Sequence, residues 1–382
     1  MCRDCILLCC GRGGIFASAE VISGTCGAEG DGCNLIWSYN SDNGELTISG
    51  KGAMADFNNQ NVPWATSQLD GEIKKLTVKD GVTSIGSGAF AGGNKNMGVS
   101  SSFTSVTIPD SVTGIGSGAF SGCENLTDIT LSKNLTSIGS HAFYGTGYYN
   151  NPENWDNDVL YIGNYLIAAK NSISGKYKVK ENTKVIAKRA FSDCRSLTGI
   201  MITENVTDIG LYAFLGCTNL SDAAISKSVT NIEVGVFTGC KSLKEITVDS
   251  ENKNYSSADG VLFNKDKTCL IVYPAGKTEI SYSIPQTVTE IGQWSFYYCA
   301  NLETINIPSG VKTIDTDAFY YSSKLNSVTI PNSVTEIGSG AFSNCTGLAS
   351  VVISGNITEI GPYTFYRCAN LEDIFFRTVL RA

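Results

Sequence analysis

The sequence predicts an α/β repeat solenoid, made mostly of short β-strands joined by short helical turns. Phenylalanine anchors recur along it, and six of their nine intervals are 23 residues. An Ile lies five residues before each of the ten anchors, and a Gly lies four residues before seven of them. A Cys follows seven anchors after three residues, and a Leu follows eight after six. The anchors are Phe90, Phe120, Phe143, Phe191, Phe214, Phe237, Phe296, Phe319, Phe342 and Phe365. A fixed period of this kind indicates stacked units that bury one continuous core.

Each position of the unit has a physical explanation. Apolar residues two apart, such as Ile305 and Ile307, predict a short strand with one buried face. Residues 112–115 are typical of a second extended segment, and the Gly after the Ile predicts a turn with φ > 0 or a close backbone approach. The Ala-Phe pair then predicts a short helical or 3₁₀ turn that returns the chain to the next strand. The repeated Phe, Ile, Leu and Cys side chains are expected to stack into ladders inside the coil.

This unit resembles the BspA-type leucine-rich repeat of bacterial surface proteins. Residues 112–131 read VTGIGSGAFSGCENLTDITL and residues 334–353 read VTEIGSGAFSNCTGLASVVI, and both look like that family's consensus. The resemblance covers roughly residues 75–377. It implies a curved, right-handed leucine-rich-repeat solenoid with a parallel sheet on one face. It also implies a secreted or surface-anchored bacterial protein that contacts host or matrix proteins.

Two segments, residues 144–185 and 249–287, interrupt the period. In the first, residues 159–162 and 165–167 flank Gly163-Asn164, a favoured tight turn. In the second, two apolar runs flank a polar turn at residues 264–267. Both segments are therefore predicted to be β-hairpin-like inserts. Insertions in repeat arrays often lie on the binding face, but such a hairpin can also pack the coil and bind nothing.

The pattern divides the chain into four parts. Residues 1–19 are predicted to be a degenerate signal peptide or leader, because an apolar run precedes Ala17-Ser18-Ala19, a pattern read by signal peptidase. Residues 20–74 are predicted to form an N-terminal β cap, with a hairpin turn at residues 42–44. Residues 75–377 form the solenoid, and residues 378–382 a truncated tail. No cap follows the last strand, so an exposed sheet edge is expected and the chain is interpreted as a fragment. The residues expected to cover the first rung are Trp37, Met54 and Trp64.

Charge and hydropathy exclude several classes of protein. A net charge of −8 disfavours a nucleic-acid binder, whose affinity depends on Lys and Arg that neutralise phosphates. No apolar run is long enough for a transmembrane helix, so the mature chain is not expected to insert into a membrane. The glycines at residues 11–14 lack the flanking strand and helix of a phosphate-binding loop. No cofactor is predicted.

The sequence contains few candidates for catalytic residues. His141 is the only histidine, and it occupies a variable unit position before Ala142 and Phe143. We interpret it as a surface residue rather than a general base, so nothing indicates a Ser-His-Asp or Cys-His arrangement. Paired carboxylates of a glycosidase have no local signature here. No catalytic residue and no metal site are predicted.

The fourteen cysteines fall into three groups. Ladder cysteines in successive units would lie near the strand spacing of about 4.8 Å, which permits a disulfide. Buried ladder Cys more often acts as a small hydrophobe, so free thiols are favoured. Cys26 and Cys33 lie in a Gly-rich loop, where a local disulfide is as plausible as free thiols. The remaining four fit no zinc spacing and are interpreted as part of the leader; they are Cys2, Cys5, Cys9 and Cys10.

The exposed face of the sheet is the predicted functional surface. The two residues that flank the inward side chain of a strand both point outward. Along successive strands these residues form two exposed columns, which are hydroxyl-rich and mildly acidic. Thr is also simply a good exposed strand residue, so this composition alone does not prove a site. Protein binding or adhesion is the leading hypothesis, with a host, matrix or cell-surface protein as partner. A passive spacer in a larger surface protein and an enzyme are the alternatives. The candidate ligand-facing residues are Asp128, Thr130, Asp222, Glu245 and Thr247.

Overall fold

The computed structural model describes residues 21–57, 62–64, 73–92, 102–354 and 356–377. Within these residues the chain is a β-solenoid of about 12 coils with almost no helix, and the predicted repeat architecture is confirmed. The predicted leader (residues 1–19) and tail (residues 378–382) lie outside the described residues.

The first region begins with antiparallel strands and continues as parallel coils. Its strands are β1 (Val21–Thr25), β2 (Leu35–Asn40), β3 (Glu45–Gly50), β4 (Gly52–Ala53), β5 (Lys75–Val78), β6 (Val82–Ile85), β7 (Ser105–Thr107), β8 (Gly114–Ile115), β9 (Asp128–Thr130) and β10 (Ser137–Ile138). β2 pairs antiparallel with β1 and β3, whereas β3 pairs parallel with β5 and β4 with β6. Trp37, Met54 and Trp64 are buried beneath these strands, and the Trp64 ring stacks on Phe90 with centroids 5.4 Å apart.

The second region contains the first interruption of the period and then regular coils. Its elements are α1 (Gly147–Asn150), a 3₁₀ turn (Pro152–Asn154), β11 (Trp155–Asp156), β12 (Val159–Ile162), β13 (Tyr165–Ala169), β14 (Gly175–Lys178), β15 (Val185–Ile186), β16 (Leu197–Met201), β17 (Asp208–Ile209), β18 (Asp222–Ile225), β19 (Asn231–Ile232) and β20 (Glu245–Val248). β12 pairs antiparallel with β13, which then pairs parallel with β15. All of β12 is buried, so this segment contributes to the core.

The third region repeats this arrangement. Its strands are β21 (Tyr255–Ala258), β22 (Val261–Asn264), β23 (Cys269–Val272), β24 (Ser281–Ser283), β25 (Glu290–Ile291), β26 (Thr304–Asn306), β27 (Thr313–Ile314), β28 (Ser327–Ile330), β29 (Glu336–Ile337), β30 (Ser350–Ser354), β31 (Glu359–Ile360) and β32 (Asp373–Arg377). β22 pairs antiparallel with β21 and β23, and β23 pairs parallel with β25. Phe263 in β22 is fully buried, whereas Phe375 and Phe376 in the last strand are exposed.

The parallel strands of the described coils form two columns, whereas the resemblance implied a sheet on one face. The long-strand column consists of β3, β5, β7, β9, β14, β16, β18, β20, β24, β26, β28, β30 and β32, and the short-strand column of β4, β6, β8, β10, β13, β15, β17, β19, β23, β25, β27, β29 and β31. The long-strand column is split into separate sheets between β5 and β7, between β9 and β14, and between β20 and β24. The second and third breaks coincide with the interruptions of the period.

The third side of each coil, the turn face, is a run of tight turns around the Phe anchor. The Ala119 N–H donates to Gly116 O within one coil, and the Phe120 N–H donates to Ala142 O of the next. The residue two before each anchor has φ > 0 in all ten units: Gly88, Gly118, His141, Arg189, Tyr212, Gly235, Trp294, Asp317, Gly340 and Tyr363. A left-handed residue cannot continue a right-handed helix, so a helix cannot run through this position. Among the described residues helix is confined to the segment 147–154. The predicted helical or 3₁₀ turn that begins at each Ala-Phe pair is not confirmed, although hydrogen-bonded turns occur there, such as the bond from the Cys123 N–H to Phe120 O.

The Phe anchors stack along the solenoid axis, as the period predicts. Ring centroids of neighbouring anchors lie between 4.7 and 5.7 Å apart. In the interrupted units the anchor position is occupied by Ala169 and Tyr273. Like the N–H of a Phe anchor, the N–H of each donates to the carbonyl of the residue that precedes the next anchor: Ala169 to Ala190 O and Tyr273 to Ser295 O. Tyr273 continues the stack, with its ring 5.0 Å from Phe296. The buried core divides into two clusters that meet within β22.

The ladder cysteines satisfy backbone carbonyls inside the coil. The Cys217 Sγ donates to Phe191 O at 3.0 Å, and Cys240 and Cys345 make the same bond to the anchor one unit earlier, each at 3.1 Å. The predicted free thiols are confirmed for Cys194, Cys217, Cys240, Cys299, Cys345 and Cys368. Cys26 is also a buried free thiol, so the structure does not contain a local disulfide between Cys26 and Cys33.

These thiols are expected to resist alkylation in the native chain. Burial raises the pKa of Cys194 to about 12 and that of Cys368 to about 11, and the thiolate is the reactive form. Peptide mass spectrometry after iodoacetamide treatment at neutral pH checks this, with the urea-unfolded chain as the fully reactive control. Labelling of Cys217 at the unfolded rate would contradict the packing. Burial raises the pKa of Cys194 in the folded chain above its ordinary value of 9.0. The buried neutral thiol therefore contributes fully to the stability of the fold below pH 9.0, and this contribution is lost as the pH rises towards about 12.

Candidate functional site

The candidate ligand-facing residues lie on the outer side of the long-strand column. Asp128 and Thr130 are exposed in β9, on either side of the buried Ile129. Glu245 and Thr247 are exposed in β20 with the same alternation. This follows from the two-residue periodicity of a strand whose middle residue faces the core.

The structure brings some of these residues together and separates others. Asp222 in β18 is directly opposite Glu245 in β20, so Asp222, Glu245 and Thr247 share one surface. Asp128 and Thr130 belong to the separate β7–β9 sheet, and residues 144–185 lie between the two groups. The five candidates therefore do not form one continuous site, because the first interruption splits the column.

Asp222 is neutralised within the chain. Its carboxylate accepts a hydrogen bond from the Lys176 ammonium at 3.1 Å. Gly199 stands between them in register, and a Cβ there would lie 2.9 Å from Asp222 Oδ2. The absence of a side chain at Gly199 thus permits the ion pair across two strands. Among the described residues, Glu245 has no such cation, so it is the stronger candidate for contact with a charged ligand.

A shallow groove of about 460 Å³ adjoins this surface. Thr247 lines it together with Met201, and its other walls include Lys178 and Glu204. The Met201 side chain is 50% exposed, which gives the groove an apolar centre between charged residues. This mixture of an exposed thioether and flanking charges suits contact with another protein.

A second concave site, which we call the insert cleft, was not predicted from the sequence. It is a cleft of about 250 Å³ between residues 232–238 and 292–297 on the turn face, beside β23. Its walls include Trp294, Tyr297, Glu290 and Asp315. The one feature of the sequence that could have indicated this cleft is Trp294. It is an aromatic residue two positions before the Phe anchor, where four of the ten units have Gly.

His141 lies where the surface interpretation places it. Its side chain is exposed, and its ring contacts the Tyr144 ring edge-on with centroids 5.5 Å apart. Its φ of 57° assigns it to the left-handed position of the turn face. In the described part of the chain no group of His, Cys, Asp or Glu could hold a metal ion. No helix formed by the described residues is both long and apolar enough to cross a membrane.

Comparisons with known proteins identify a family and support the fold. The BspA type leucine rich repeat region family matches six copies within residues 96–175, 161–281 and 276–381. A leucine rich cell surface protein from Faecalibacterium prausnitzii is 24% identical, with a TM-score of 0.50 over 92% of this chain and 95% of that one. A leucine-rich repeat protein from Eubacterium ventriosum is 28% identical, with a TM-score of 0.46 over 93% and 78% of the two chains. The pneumococcal vaccine antigen PcpA is 23% identical, with a TM-score of 0.47 over 93% and 89%. No curated protein matches the chain.

Proposed function

This chain belongs to the BspA-type leucine-rich repeat family, and we propose that it binds protein partners outside the cell. In this proposal the protein is secreted or displayed on a bacterial surface and acts as a scaffold rather than as an enzyme. Repeat solenoids suit this role because they present extended surfaces on a rigid backbone.

The observation that carries the proposal is the surface around Glu245 on the long-strand column. An exposed carboxylate and an exposed Thr247 hydroxyl on β20 lie beside the groove, and the half-exposed Met201 lies on β16, two strands away. The partner expected from this chemistry is a host, matrix or cell-surface protein with a basic patch. The net charge of −8 favours the same class of partner by long-range attraction.

We also assign structural roles to the irregular segments. Residues 20–74 act as the N-terminal cap, supported by the antiparallel β1–β3 and by Trp64 under Phe90. The two interruptions of the period, residues 144–185 and 249–287, act as hairpin inserts that extend the core, supported by the buried β12 and Phe263.

The same burial favours a second candidate function, a passive spacer in a larger surface protein. A hairpin whose strands are buried does not project as a binding loop, so these segments add length and stiffness to the solenoid. The spacer role and the binding role differ in one outcome, namely whether the long-strand column has a ligand.

The test is a binding screen of the full chain against immobilised matrix and host surface proteins. We expect a salt-sensitive interaction that weakens by roughly threefold to thirtyfold, about 0.7–2 kcal/mol, when Asp128, Asp222 and Glu245 are all changed to Ala. Glu245→Gln alone should account for most of the loss, because Asp222 is already paired with Lys176.

Glu124→Gln is the matched control, since it removes one exposed carboxylate from a turn outside both strand columns. Equal losses in Glu245→Gln and Glu124→Gln would point to net charge alone. An empty screen would count against binding and in favour of the spacer.

A further inference from the structure

The insert cleft lies at a coil with a shortened corner, a feature that the Ala169 coil shares, since Leu166 pairs with Ile186 there. Leu270 in β23 pairs with Ile291, and Tyr273 occupies the anchor position that Phe296 holds in the next coil. Two residues separate Leu270 from Tyr273, whereas four separate Ile291 from Phe296. The corner that the ten Phe-anchored units build on the turn face is therefore missing from this coil, and the cleft occupies its place.

Aromatic rings close the cleft on one side. The Trp294 ring reaches across the missing corner and stacks on Tyr212, with centroids 5.3 Å apart. Gly235 makes this possible, because a Cβ there would lie 2.7 Å from the Tyr212 ring and 2.9 Å from the Trp294 ring. The Trp294 Nε1–H donates to Asp317 at 3.2 Å, which fixes the ring. The immobilised Trp294 indole and the adjacent Tyr297 therefore form the aromatic wall of the cleft.

The charges around the cleft are acidic. Glu233 is paired with Lys188 at 3.0 Å, but within the described residues no Lys or Arg lies at ion-pair distance from Glu290 or Asp315. The Asp315 carboxylate accepts one hydrogen bond, from the Thr316 N–H. The insert cleft therefore combines an aromatic wall with two carboxylates that lack a cation in the described chain.

An acidic stripe continues from the cleft along the short-strand column. Glu290, Thr313, Glu336 and Glu359 occupy the same register on successive strands, and all three Glu side chains are exposed. Glu290 and Glu336 are two strands apart, or about 10 Å. An extended peptide advances by the same distance over three residues, at about 3.3 Å each.

We propose that the insert cleft binds a lysine or arginine side chain from an extended basic segment of a partner protein. The aliphatic stem lies against Trp294 and Tyr297, and the cationic head pairs with Glu290 and Asp315. Further basic residues, at every third position, follow the stripe to Glu336. Guanidinium groups in particular stack on aromatic faces and pair with carboxylates at the same time. This inference rests on the proposed function, because it supplies the partner chemistry and a second contact surface.

The test uses an acetylated, amidated peptide with arginine at every third position and serine elsewhere, titrated into the full chain by calorimetry. A citrulline version of the same peptide keeps the shape and removes the charge. We expect binding of the arginine peptide only, weakening as salt increases. The double variant Glu290→Gln, Asp315→Asn is expected to weaken binding by roughly tenfold or more.

Two further variants distinguish binding in the cleft from binding elsewhere on the acidic surface. Val234→Phe fills the cleft, which Val234 lines with an exposed side chain, and it should abolish binding without changing any charge. Asp222→Asn, Glu245→Gln removes two carboxylates from the long-strand column and should leave the peptide affinity unchanged. Thermal melting checks that every variant is folded.

Equal binding of both peptides, or full affinity in the Glu290→Gln, Asp315→Asn variant, would overturn the cleft assignment. Loss of peptide binding only in Asp222→Asn, Glu245→Gln would also overturn it, while leaving the proposed function of the long-strand column intact. An empty matrix-protein screen together with normal peptide binding would count against the proposed function of the long-strand column and leave the cleft assignment intact.

Discussion

Phe214→Ala is expected to lower the free energy of unfolding by about 3–5 kcal/mol. Phe214 has no exposed surface, and its ring lies 5.1 Å from Phe191 and 5.4 Å from Phe237. Removing it deletes contacts with both neighbouring coils and leaves a cavity that the backbone ladders on either side prevent from collapsing. The urea unfolding midpoint, followed by circular dichroism, measures the effect.

The control for this substitution is Phe375→Ala, which truncates a Phe that is 52% exposed in β32. It should change the midpoint by far less, since little buried area is lost. Hydrogen exchange adds a spatial test, because the core of each coil packs mainly on the two coils beside it. Faster exchange should be concentrated in the coils around Phe214, and an unchanged midpoint with uniform exchange would refute the stacked core.

Gly139→Ala is expected to destabilise the chain by about 1–3 kcal/mol, the usual range for overpacking. A Cβ on Gly139 would lie 2.3 Å from Ser117 N and 2.4 Å from Gly116 C in the preceding coil. These are backbone atoms held in the ladder, so no flexible side chain can move aside. The methyl group can be accommodated only if the coils separate.

Gly114→Ala is the matched control for this effect. It lies in β8, in the neighbouring coil, where a Cβ would have Ser84 Cβ as its nearest contact at 4.0 Å. This variant should match or slightly exceed the wild-type thermal midpoint, because Ala lowers the entropy of the unfolded chain. Equal destabilisation of both variants would show that steric crowding at Gly139 is not the cause.

The period alone was enough to predict the repeat, the anchors and the buried ladders, because each depends on side chains in register. The Gly after the Ile was consistent with a left-handed turn or with close approach, and the structure selects close approach at Gly139 and Gly338. The left-handed positions fall elsewhere and include Tyr212 and Trp294. Residues with a Cβ rarely adopt that conformation, so composition gave no reason to place it there.

The candidate site was harder to predict, since it depends on how the interruptions fit between coils. Asp128 and Asp222 occupy equivalent positions in their units, and only the three-dimensional arrangement shows that one stands in a separate sheet and the other is paired with Lys176. The insert cleft depends on a corner shortened by two residues between Leu270 and Tyr273. Counting the residues between Phe anchors does not reveal this shortened corner, because the anchor of that coil is Tyr273 rather than a Phe.

The hydrogen bonds between coils, such as that from the Phe120 N–H to Ala142 O, run along the long axis of the molecule. A pull on the two ends of the solenoid would therefore load these bonds in line, and each coil could peel from the next without disturbing the remainder. Because each coil packs mainly on the two coils beside it, the solenoid is expected to lengthen in small steps under tension rather than to unfold all at once.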